Sequence, residues 1–159
     1  MSTRYGLASS LAPELTLTAY ETSEQRRWMM SRIRSKDTAP EMKVRRLIHS
    51  LGYRYRLHRR DLPGKPDIVF APRKKIIEVR GCYWHAHLRY EPACLEARSP
   101  AKSNTWYWGP KMDRNVARDT TNIAKLEALG WDVLILWECE LRDMGAVECR
   151  IRDFLDAQI

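Results

Sequence analysis

Two acidic residues and an arginine in the first half of the chain have the spacing of a hydrolytic metal site. Asp67 follows Pro66, and Glu78 and Arg80 come after it in the pattern P-D-x₁₀-E-x-R. Alternate side chains of a strand face the same way, so Glu78 and Arg80 share a face and a hairpin can bring Asp67 opposite them. Carboxylate oxygens bind Mg²⁺, which would polarise a phosphodiester and activate water, while a neighbouring cation would stabilise the developing charge. The alternative is an ordinary surface ion pair between Glu78 and Arg80.

A cysteine and histidine pattern indicates a second kind of metal site. Cys82 and His87 lie close together, Cys94 follows in the same segment, and Cys139 comes at the end of a later apolar run. Three thiolates and one imidazole form one of the common tetrahedral sets for structural zinc. Such an ion would pin a long irregular segment to a strand end and contribute to its folding. The alternative is that Cys139 is a buried apolar thiol and Cys82 a loop thiol.

The other histidines and the fourth cysteine are interpreted separately. His85 lies between two of these ligands and is not needed for the tetrahedron. A histidine that titrates near neutral pH beside a bound phosphate can act as a general base or acid, although His85 could also simply pack against the loop. Cys149 is interpreted as a packing residue of the last helix, and His49 and His58, which have no partner pattern, as surface or boundary residues.

The elements that position these residues begin with a helix. Thr38-Ala39-Pro40-Glu41 has the form of a capping box with proline in the first turn. Apolar residues then recur at helical spacing until Gly52, which can end the helix; they are Val44, Leu47, Ile48 and Leu51. Strands are predicted at residues 53–57, 67–70 and 76–79, and residues 80–110 are predicted to be an irregular loop.

The second half of the chain adds a helix, a strand and a last helix. A helix is predicted at residues 111–129 and another from about Asp143. Their apolar faces consist of Met112, Val116, Ile123 and Leu126 and of Val147, Ile151, Phe154 and Leu155, respectively. Residues 131–137 are predicted to be a strand that is apolar on both faces over Val133–Leu136, as in a central strand covered by helices on each side. The order of elements predicts an α/β fold with a mixed sheet flanked by helices.

The composition limits the class of the protein. The 159 residues fit a single domain, predicted at residues 26–159, behind a flexible arm of residues 1–25. Lysine and arginine outnumber acidic residues by 28 to 20, and the resulting formal charge of +8 suits a polyanion such as nucleic acid. No apolar run reaches the roughly 18 residues of a membrane-spanning helix, and the N-terminus has no signal-peptide pattern. An intracellular protein with reduced cysteines is therefore predicted.

Five segments of the chain together match a known family. They are MSRIRSKDTAPEM (Met30–Met42), LPGKPDIVF (Leu62–Phe70), RGCYWHAH (Arg80–His87), KMDRNVARD (Lys111–Asp119) and GWDVLILWECEL (Gly130–Leu141). In these segments the chain resembles the very short patch repair (Vsr) endonucleases, bacterial enzymes of the PD-(D/E)xK nuclease superfamily that nick DNA beside a T·G mismatch. The resemblance extends in uninterrupted order over roughly residues 29–142.

The resemblance implies a restriction-endonuclease-like fold and catalytic roles for four residues. Asp67 would be the main Mg²⁺ ligand and His85 a catalytic histidine. Asp119 would support the site, and Glu41 would reach the hydration shell of the metal. These roles are what the family implies at the matching positions of this chain.

The resemblance also implies the zinc ligands and the DNA contacts. The structural zinc of the family falls on Cys82, His87, Cys94 and Cys139, the set that coordination chemistry indicates. Tyr83, Trp84 and Trp108 match aromatic residues that wedge into the duplex and unstack a weakened mismatch step. Lys65 and Arg34, two basic residues within the matching segments, are further predicted DNA contacts.

Two departures from the family change these expectations. Arg80 stands where the family usually has a second catalytic histidine, and the acidic Glu78 precedes it. Magnesium binding is therefore expected to depend more on Glu78, with Arg80 stabilising the phosphate and His85 as the only proton carrier; the predicted magnesium set is Asp67, Glu78 and Val79. The segment between Cys82 and Cys94 also carries about five additional residues, Leu88–Pro92.

These observations predict a Mg²⁺-dependent DNA endonuclease that nicks at or near T·G mismatches. Two alternatives stay open: a related nuclease with a different DNA specificity, and a zinc-stabilised DNA-binding module without catalysis. The expected cofactors are catalytic Mg²⁺ and structural Zn²⁺, and the expected partner is double-stranded DNA. The protein is expected to act as a monomer in the bacterial cytoplasm, associated with the nucleoid.

Overall fold

The structure, a computed structural model, describes Trp28 and residues 36–98 and 105–157, with side chains of the second helix described from residue 108. The predicted arm of residues 1–25 and the predicted DNA contact Arg34 lie outside these residues. Residues Asp37–Ile159 form one compact unit. No helix in the described part of the chain is long and apolar enough to cross a membrane.

The first helix, α1, spans Ala39–Ser50 and begins where the capping signal predicts. The hydroxyl of Thr38 accepts a hydrogen bond from the backbone N–H of Glu41 at 3.4 Å, and proline lies in the first turn. In a capping box the Glu41 carboxylate would accept the backbone N–H of Thr38. Here it accepts the N–H of the preceding residue, Asp37, at 2.9 Å. The helix ends before Gly52, whose φ of +88° favours glycine.

A four-stranded sheet follows, in the order β1-β2-β3-β4. Strand β1 spans Arg56–Leu57, β2 spans Ile68–Phe70 and β3 spans Lys75–Arg80. These strands are antiparallel, whereas β4 (Asp132–Trp137) runs parallel to β3. The mixed sheet is confirmed, but the predicted limits were inexact: β1 begins three residues late, and Asp67 lies just before β2.

The prediction that the WDVLILW segment is a central strand was wrong. Among the described residues, β4 pairs only with β3 and lies at the edge of the sheet. It is nevertheless apolar on both faces, because Leu134 and Leu136 pack into one hydrophobic core and Val133 packs against the other. Helices on both faces are therefore sufficient to explain a continuous apolar run, and a second neighbouring strand is not required.

The second helix, α2, spans Thr105–Ala128 and begins six residues earlier than predicted. The prediction placed Pro110 in the preceding loop because proline lacks the N–H that an interior helical position uses. Pro110 instead lies inside the helix. A shorter loop thus separates β3 from α2, with a 3₁₀ turn at His87–Arg89.

The last helix, α3, spans Met144–Asp156 and is capped by Asp143, whose carboxylate accepts the N–H of Ala146 at 3.0 Å. Its predicted apolar face is confirmed: Val147, Ile151 and Leu155 are buried, and Phe154 packs at the margin of the same core. The interpretation of Cys149 as a packing residue was wrong, because its side chain is exposed.

The sheet separates two hydrophobic cores, which places the elements in three layers. Helices α1 and α3 contribute to the core that contains Ile68, Phe70 and Ile77. Helix α2 contributes Leu126 to the smaller core on the opposite face, with Val69 and Ile76. The strand alternation continues beyond this smaller core, so Glu78 and Arg80 follow Ile76 on the face of α2.

Candidate active site and metal centre

Asp67 lies at the end of the sheet where β3 finishes. The antiparallel register pairs Ile68 with Ile77, so the next position places Asp67 opposite Glu78. The Oδ2 atom of Asp67 accepts the backbone N–H of Val79 at 3.0 Å. The turn before Asp67 comes close to α2 at Gly64. A Cβ atom added to Gly64 would lie only 2.9 Å from Nδ2 of Asn122 in that helix.

The charge of Asp67 is poorly compensated. Burial raises the pKa of this carboxyl to about 6; the hydrogen bond from Val79 opposes the rise, and the charges of Glu41 and Glu78 add to it. Among the described residues, the basic group that contacts it is the His58 ring, whose Nδ1 lies 3.9 Å from Oδ1. A half-buried carboxylate beside two others is stabilised in its ionised form by a cation.

Glu78 and Arg80 form a buried ion pair on the same face of β3. Nε and Nη2 of Arg80 donate to a single oxygen of Glu78, Oε2, at 3.0 and 2.6 Å. Arg80 is only 5% exposed, so the pair is not the solvated surface pair considered as the alternative. The guanidinium is held against Glu78, and the second carboxylate oxygen is not used in this pairing.

Glu41 enters the site from the first turn of α1 and is 3% exposed. Its Oε1 lies 3.2 Å from both Nη1 of Arg45 and Nε2 of His58. The interpretation of His58 as a surface or boundary residue agrees with its intermediate burial, but its contacts with Glu41 and Asp67 were not predicted. Its ring lies between two of the predicted catalytic carboxylates, Glu41 and Asp67.

His85 and Asp119 form the second part of the site. Nδ1 of His85 lies 2.5 Å from Oδ2 of Asp119, which projects from α2. Burial by itself raises the pKa of Asp119, but the hydrogen bond and charge of His85, the bond from Arg118 and the charge of Arg80 together lower it. Asp119 is thus an ionised carboxylate that holds one nitrogen of His85 in place.

Sequence reasoning did not single out Arg118. Its Nη2 lies 3.1 Å from Oδ1 of Asp119, and its side chain is 58% exposed. Arg118 therefore presents positive charge to solvent beside the His85–Asp119 pair. Its position next to Asp119 in the KMDRNVARD segment was the available signal.

The predicted cysteine and histidine set comes together in space. The ligand atoms of Cys82, His87, Cys94 and Cys139 all lie within 4.8 Å of one another. The backbone N–H of Cys139 donates to Sγ of Cys82 at 3.4 Å, and its own Sγ lies 3.6 Å from Nδ1 of His87. This compact group of three thiols and one imidazole could hold a metal ion of the kind zinc sites contain.

The group is largely buried and lies against an aromatic ring. The His87 ring stacks on Trp137 with centroids 3.9 Å apart. Burial lowers the pKa of His87 and raises the pKa of the Cys82 thiol to about 12. Protons are thus retained on buried sulfur in the absence of a cation, whereas a bound metal would favour the thiolates.

Three aromatic side chains cluster beside the active site. Ring centroids are 4.9 Å apart for Tyr83 and Trp84, 5.9 Å for Tyr83 and Trp108, and 6.1 Å for Trp84 and Trp108. Gly81 allows the close approach, since a Cβ atom there would lie 3.3 Å from the Trp84 ring. The three predicted DNA-contacting aromatics therefore form one group, and the ammonium of Lys111 lies 4.9 Å from the Trp108 centroid.

The other predicted DNA contact within the described residues, Lys65, is exposed and has a φ of +54° in the turn before Asp67. The additional segment Leu88–Pro92 lies in the chain between two residues of the cysteine and histidine group, His87 and Cys94. Tyr90 in this segment is 56% exposed and packs its ring 5.7 Å from Trp137.

The fold resembles that of a solved nuclease domain. The catalytic domain of the homing endonuclease I-Bth0305I aligns with a TM-score of 0.50 over 74% of this chain and 94% of that domain, at 22% sequence identity. This likeness concerns the architecture, and it agrees with the predicted mixed sheet flanked by helices.

Sequence comparisons define the class and then the family. A type II nicking enzyme, V.XorIIP of Xanthomonas oryzae pv. oryzae, is 51% identical over 84% of this chain and 93% of its own length. The DNA mismatch endonuclease Vsr of Escherichia coli is 39% identical over 71% of this chain and 69% of its own length. The family model described as DNA mismatch endonuclease Vsr matches residues 18–91. The chain is thus a DNA endonuclease by class. It belongs to the Vsr family, within the PD-(D/E)xK nucleases.

Proposed function

We propose that this chain is a Mg²⁺-dependent endonuclease that nicks duplex DNA at or near T·G mismatches. The observation that carries the proposal is the meeting of two groups at one end of the sheet. One is the poorly compensated carboxylate of Asp67 with Glu41 and Glu78 nearby. The other is the hydrogen-bonded pair of His85 and Asp119.

The carboxylate group fits a hard divalent cation. Asp67 is the proposed direct ligand, because burial and two acidic neighbours disfavour its ionised form unless a cation is present. Glu78 is available through the oxygen that Arg80 does not bind, and Val79 belongs to the same proposed set. Both oxygens of Glu41 already contact protein groups, which favours its acting through the hydration shell. A bound Mg²⁺ would polarise the phosphate and lower the pKa of water.

The protein groups would supply orientation and proton transfer. Asp119 holds Nδ1 of His85, leaving the other ring nitrogen to exchange a proton with water or the leaving oxygen. Arg80 is buried against Glu78, so we revise its proposed role from a phosphate contact to the residue that orients this carboxylate. Arg118 is the exposed cation beside the dyad and is better placed to meet a phosphate oxygen.

The aromatic group supports the mismatch specificity. Tyr83, Trp84 and Trp108 pack edge to face next to His85. Insertion of such rings between base pairs requires unstacking, which costs a few kcal/mol and least at a mismatched step. We propose that this group selects the weakened step, with Lys65 and Arg34 binding the phosphate backbone.

We propose Zn²⁺ as the metal of the cysteine and histidine group. Three thiols and an imidazole match the softness that zinc prefers and differ from the oxygen donors of the active site. The relatives come from bacteria, and we propose that the enzyme acts as a monomer on DNA of the bacterial cytoplasm. The arm at residues 1–25 and the domain at residues 26–159 are proposed on sequence grounds.

A strand-resolved nicking assay tests the proposed function. Each strand of an oligonucleotide duplex with one central T·G mismatch carries a different label, and cleavage is followed with Mg²⁺ present or omitted. We expect one strand to be cut, only with Mg²⁺, and faster than in a fully paired duplex. Asp67→Ala is expected to abolish cleavage while leaving duplex binding intact.

The same assay distinguishes the alternatives. Cutting of other mismatches or of paired DNA at a rate similar to or above that of the T·G duplex would show a different specificity. This comparison matters because several relatives are named type II nicking enzymes. Tight duplex binding without cleavage of any substrate would support the DNA-binding module instead. Cleavage that survives Asp67→Ala would contradict the assignment of this carboxylate.

A further inference from the structure

His58 is the one histidine of the described residues with a ring nitrogen near each of two active-site carboxylates. Its Nε2 lies 3.2 Å from Oε1 of Glu41, and its Nδ1 lies 3.9 Å from Oδ1 of Asp67. The side chain is 17% exposed. The ring thus fills the space between a residue of α1 and a residue at the start of β2.

The backbone fixes this position. His58 follows directly after β1, and its N–H donates to the backbone oxygen of Asp67 at 3.3 Å. Its φ is +45°, a left-handed conformation uncommon for a residue with a Cβ atom. A strained conformation that is held by the surrounding structure is frequent at functional sites.

The other contacts of Glu41 bear on the position of its carboxylate relative to Asp67. The carboxylate accepts the N–H of Asp37 and contacts Nη1 of Arg45, which also binds Asp37 at 2.5 Å. These contacts hold one part of the Glu41 carboxylate at the start of α1. Oε1 of Glu41 also contacts the His58 ring, which lies between this carboxylate and Asp67.

We propose that His58 is a positioning residue that sets the separation and orientation of the Glu41 and Asp67 carboxylates toward a divalent cation. The inference rests on the proposed function, because it takes Asp67 to be a metal ligand. His58 would not bind substrate. It would preorganise two acidic groups on separate elements, as outer residues do for the ligands of many metal sites.

Metal affinity tests this role without relying on activity. The zinc-loaded full chain and the variants His58→Ala, His58→Gln, Asp67→Ala and His49→Ala are titrated with Mn²⁺ in the absence of DNA, and free Mn²⁺ is followed by electron paramagnetic resonance. His49 is an exposed histidine of α1 and serves as the matched control. Thermal unfolding without added Mn²⁺ monitors the fold of each variant.

We expect His58→Ala to weaken Mn²⁺ binding about tenfold, the smaller effect typical of outer residues. His58→Gln should regain most of the affinity, because its amide nitrogen can occupy the place of Nε2 beside Glu41. His49→Ala should bind as the wild type does. In the nicking assay, His58→Ala should raise the Mg²⁺ concentration for half-maximal rate by a similar factor, with the rate at saturating Mg²⁺ nearly unchanged.

Several results would overturn the proposal. They are wild-type Mn²⁺ affinity in His58→Ala, unchanged affinity in Asp67→Ala, and a loss in His58→Ala that Gln fails to restore. If the wild-type protein cuts no duplex, the proposed function fails, but the Mn²⁺ titration still decides the role of His58. If the wild type nicks and His58→Ala keeps its Mn²⁺ affinity, only the inference about His58 fails.

Discussion

At the scale of single residues, the ionised carboxylate of Asp67 lowers the stability of the folded protein. Asp67 has a pKa of about 6 in the folded protein because burial and the neighbouring Glu41 and Glu78 disfavour its charge. Its pKa in an unfolded chain is about 3.9. The folded state therefore binds the proton more tightly, and the ionised carboxylate destabilises the fold as the pH rises from about 4 through 6.

The first prediction is that Asp67→Asn stabilises the protein at neutral pH while abolishing cleavage. The amide keeps an oxygen for the N–H of Val79 but removes the half-buried charge. We expect a gain of about 2 kcal/mol in the free energy of unfolding at pH 7.5 without Mg²⁺, decreasing toward zero at pH 4. Denaturant unfolding of both proteins at each pH measures it. A variant less stable than wild type at pH 7.5 would contradict the assignment of the charge as destabilising.

The second prediction concerns the pair of His85 and Asp119. Loss of the proton carrier in His85→Ala should lower kcat by about 10²–10⁴-fold, and Asp119→Asn should lower it less because the imidazole is kept but misoriented. Single-turnover nicking at saturating enzyme separates the chemical step from binding. Asp132→Asn, an exposed position at the opposite end of the sheet, serves as the control and should keep the wild-type rate. Full activity in His85→Ala would exclude it as the proton carrier.

At the scale of elements, the cysteine and histidine group joins the loop after β3 to the end of β4. Cys82 and Cys139 are far apart in sequence, yet the backbone of one bonds the sulfur of the other. A metal that connects these elements would stabilise the segment that carries Tyr83, Trp84 and His85. The aromatic group and the proton carrier are therefore expected to depend on the metal centre for their positions.

The third prediction is that Cys139→Ser removes one equivalent of zinc and destabilises the fold. Metal analysis and thermal unfolding measure the two effects, and we expect Tm to fall by about 10 °C, in line with a loss of a few kcal/mol. Cys149→Ser is the matched control, since this thiol is exposed on α3 and outside the cluster. Equal zinc content and Tm in Cys139→Ser and wild type would contradict the proposed centre.

The attachment of α3 to the sheet depends on a buried lysine. Nζ of Lys75 donates to the backbone oxygens of Phe154 at 2.6 Å and Ala157 at 2.5 Å, and Lys75 is 3% exposed. These carbonyls at the helix C-terminus have no further turn to bond them. A cation placed there satisfies the acceptors and complements the helix dipole.

The fourth prediction is that Lys75→Met lowers the free energy of unfolding by about 2–3 kcal/mol, because the carbonyls lose their charged donor in a buried position. Denaturant unfolding measures the change. Lys125→Met, an exposed lysine of α2, controls for the loss of charge and should change stability by less than about 0.5 kcal/mol. Similar effects of the two substitutions would show that the capping bonds of Lys75 contribute little.

At the scale of the whole molecule, the formal charge of +8 supports binding to a polyanion. Phosphate contacts release counterions, so affinity for duplex DNA should fall steeply with salt. Lys65 is exposed beside Asp67 and is available for such a contact. Arg152 is exposed on α3, on the other side of the sheet from Asp119.

The fifth prediction is that Lys65→Ala reduces the slope of log affinity against log salt concentration by about one. The loss of affinity should be similar for mismatched and paired duplexes, because a phosphate contact carries no base information. Fluorescence anisotropy at several salt concentrations measures the slope. Arg152→Gln should leave it unchanged, and an equal change in both variants would indicate a general effect of net charge.

The sequence by itself determined the elements and most of the chemistry. Local signals such as the Thr38 cap, the strand alternation around Glu78 and the cysteine and histidine types act over a few residues, so they can be interpreted without the fold. They predicted the order of helices and strands, the mixed sheet and the metal-ligating residue types. The family resemblance added the role of Asp119, which spacing alone could not supply, and agreed with the proton-transfer role considered for His85.

Only the tertiary structure decided which groups meet and which are buried. The ring of His58 touches Glu41 and Asp67 because α1 and the β1–β2 hairpin converge there, and no local pattern encodes that meeting. Burial turned Arg80 toward Glu78, and helices on both faces made an edge strand as apolar as a central one. Contacts between distant segments depend on packing and desolvation, which single-sequence periodicity does not report.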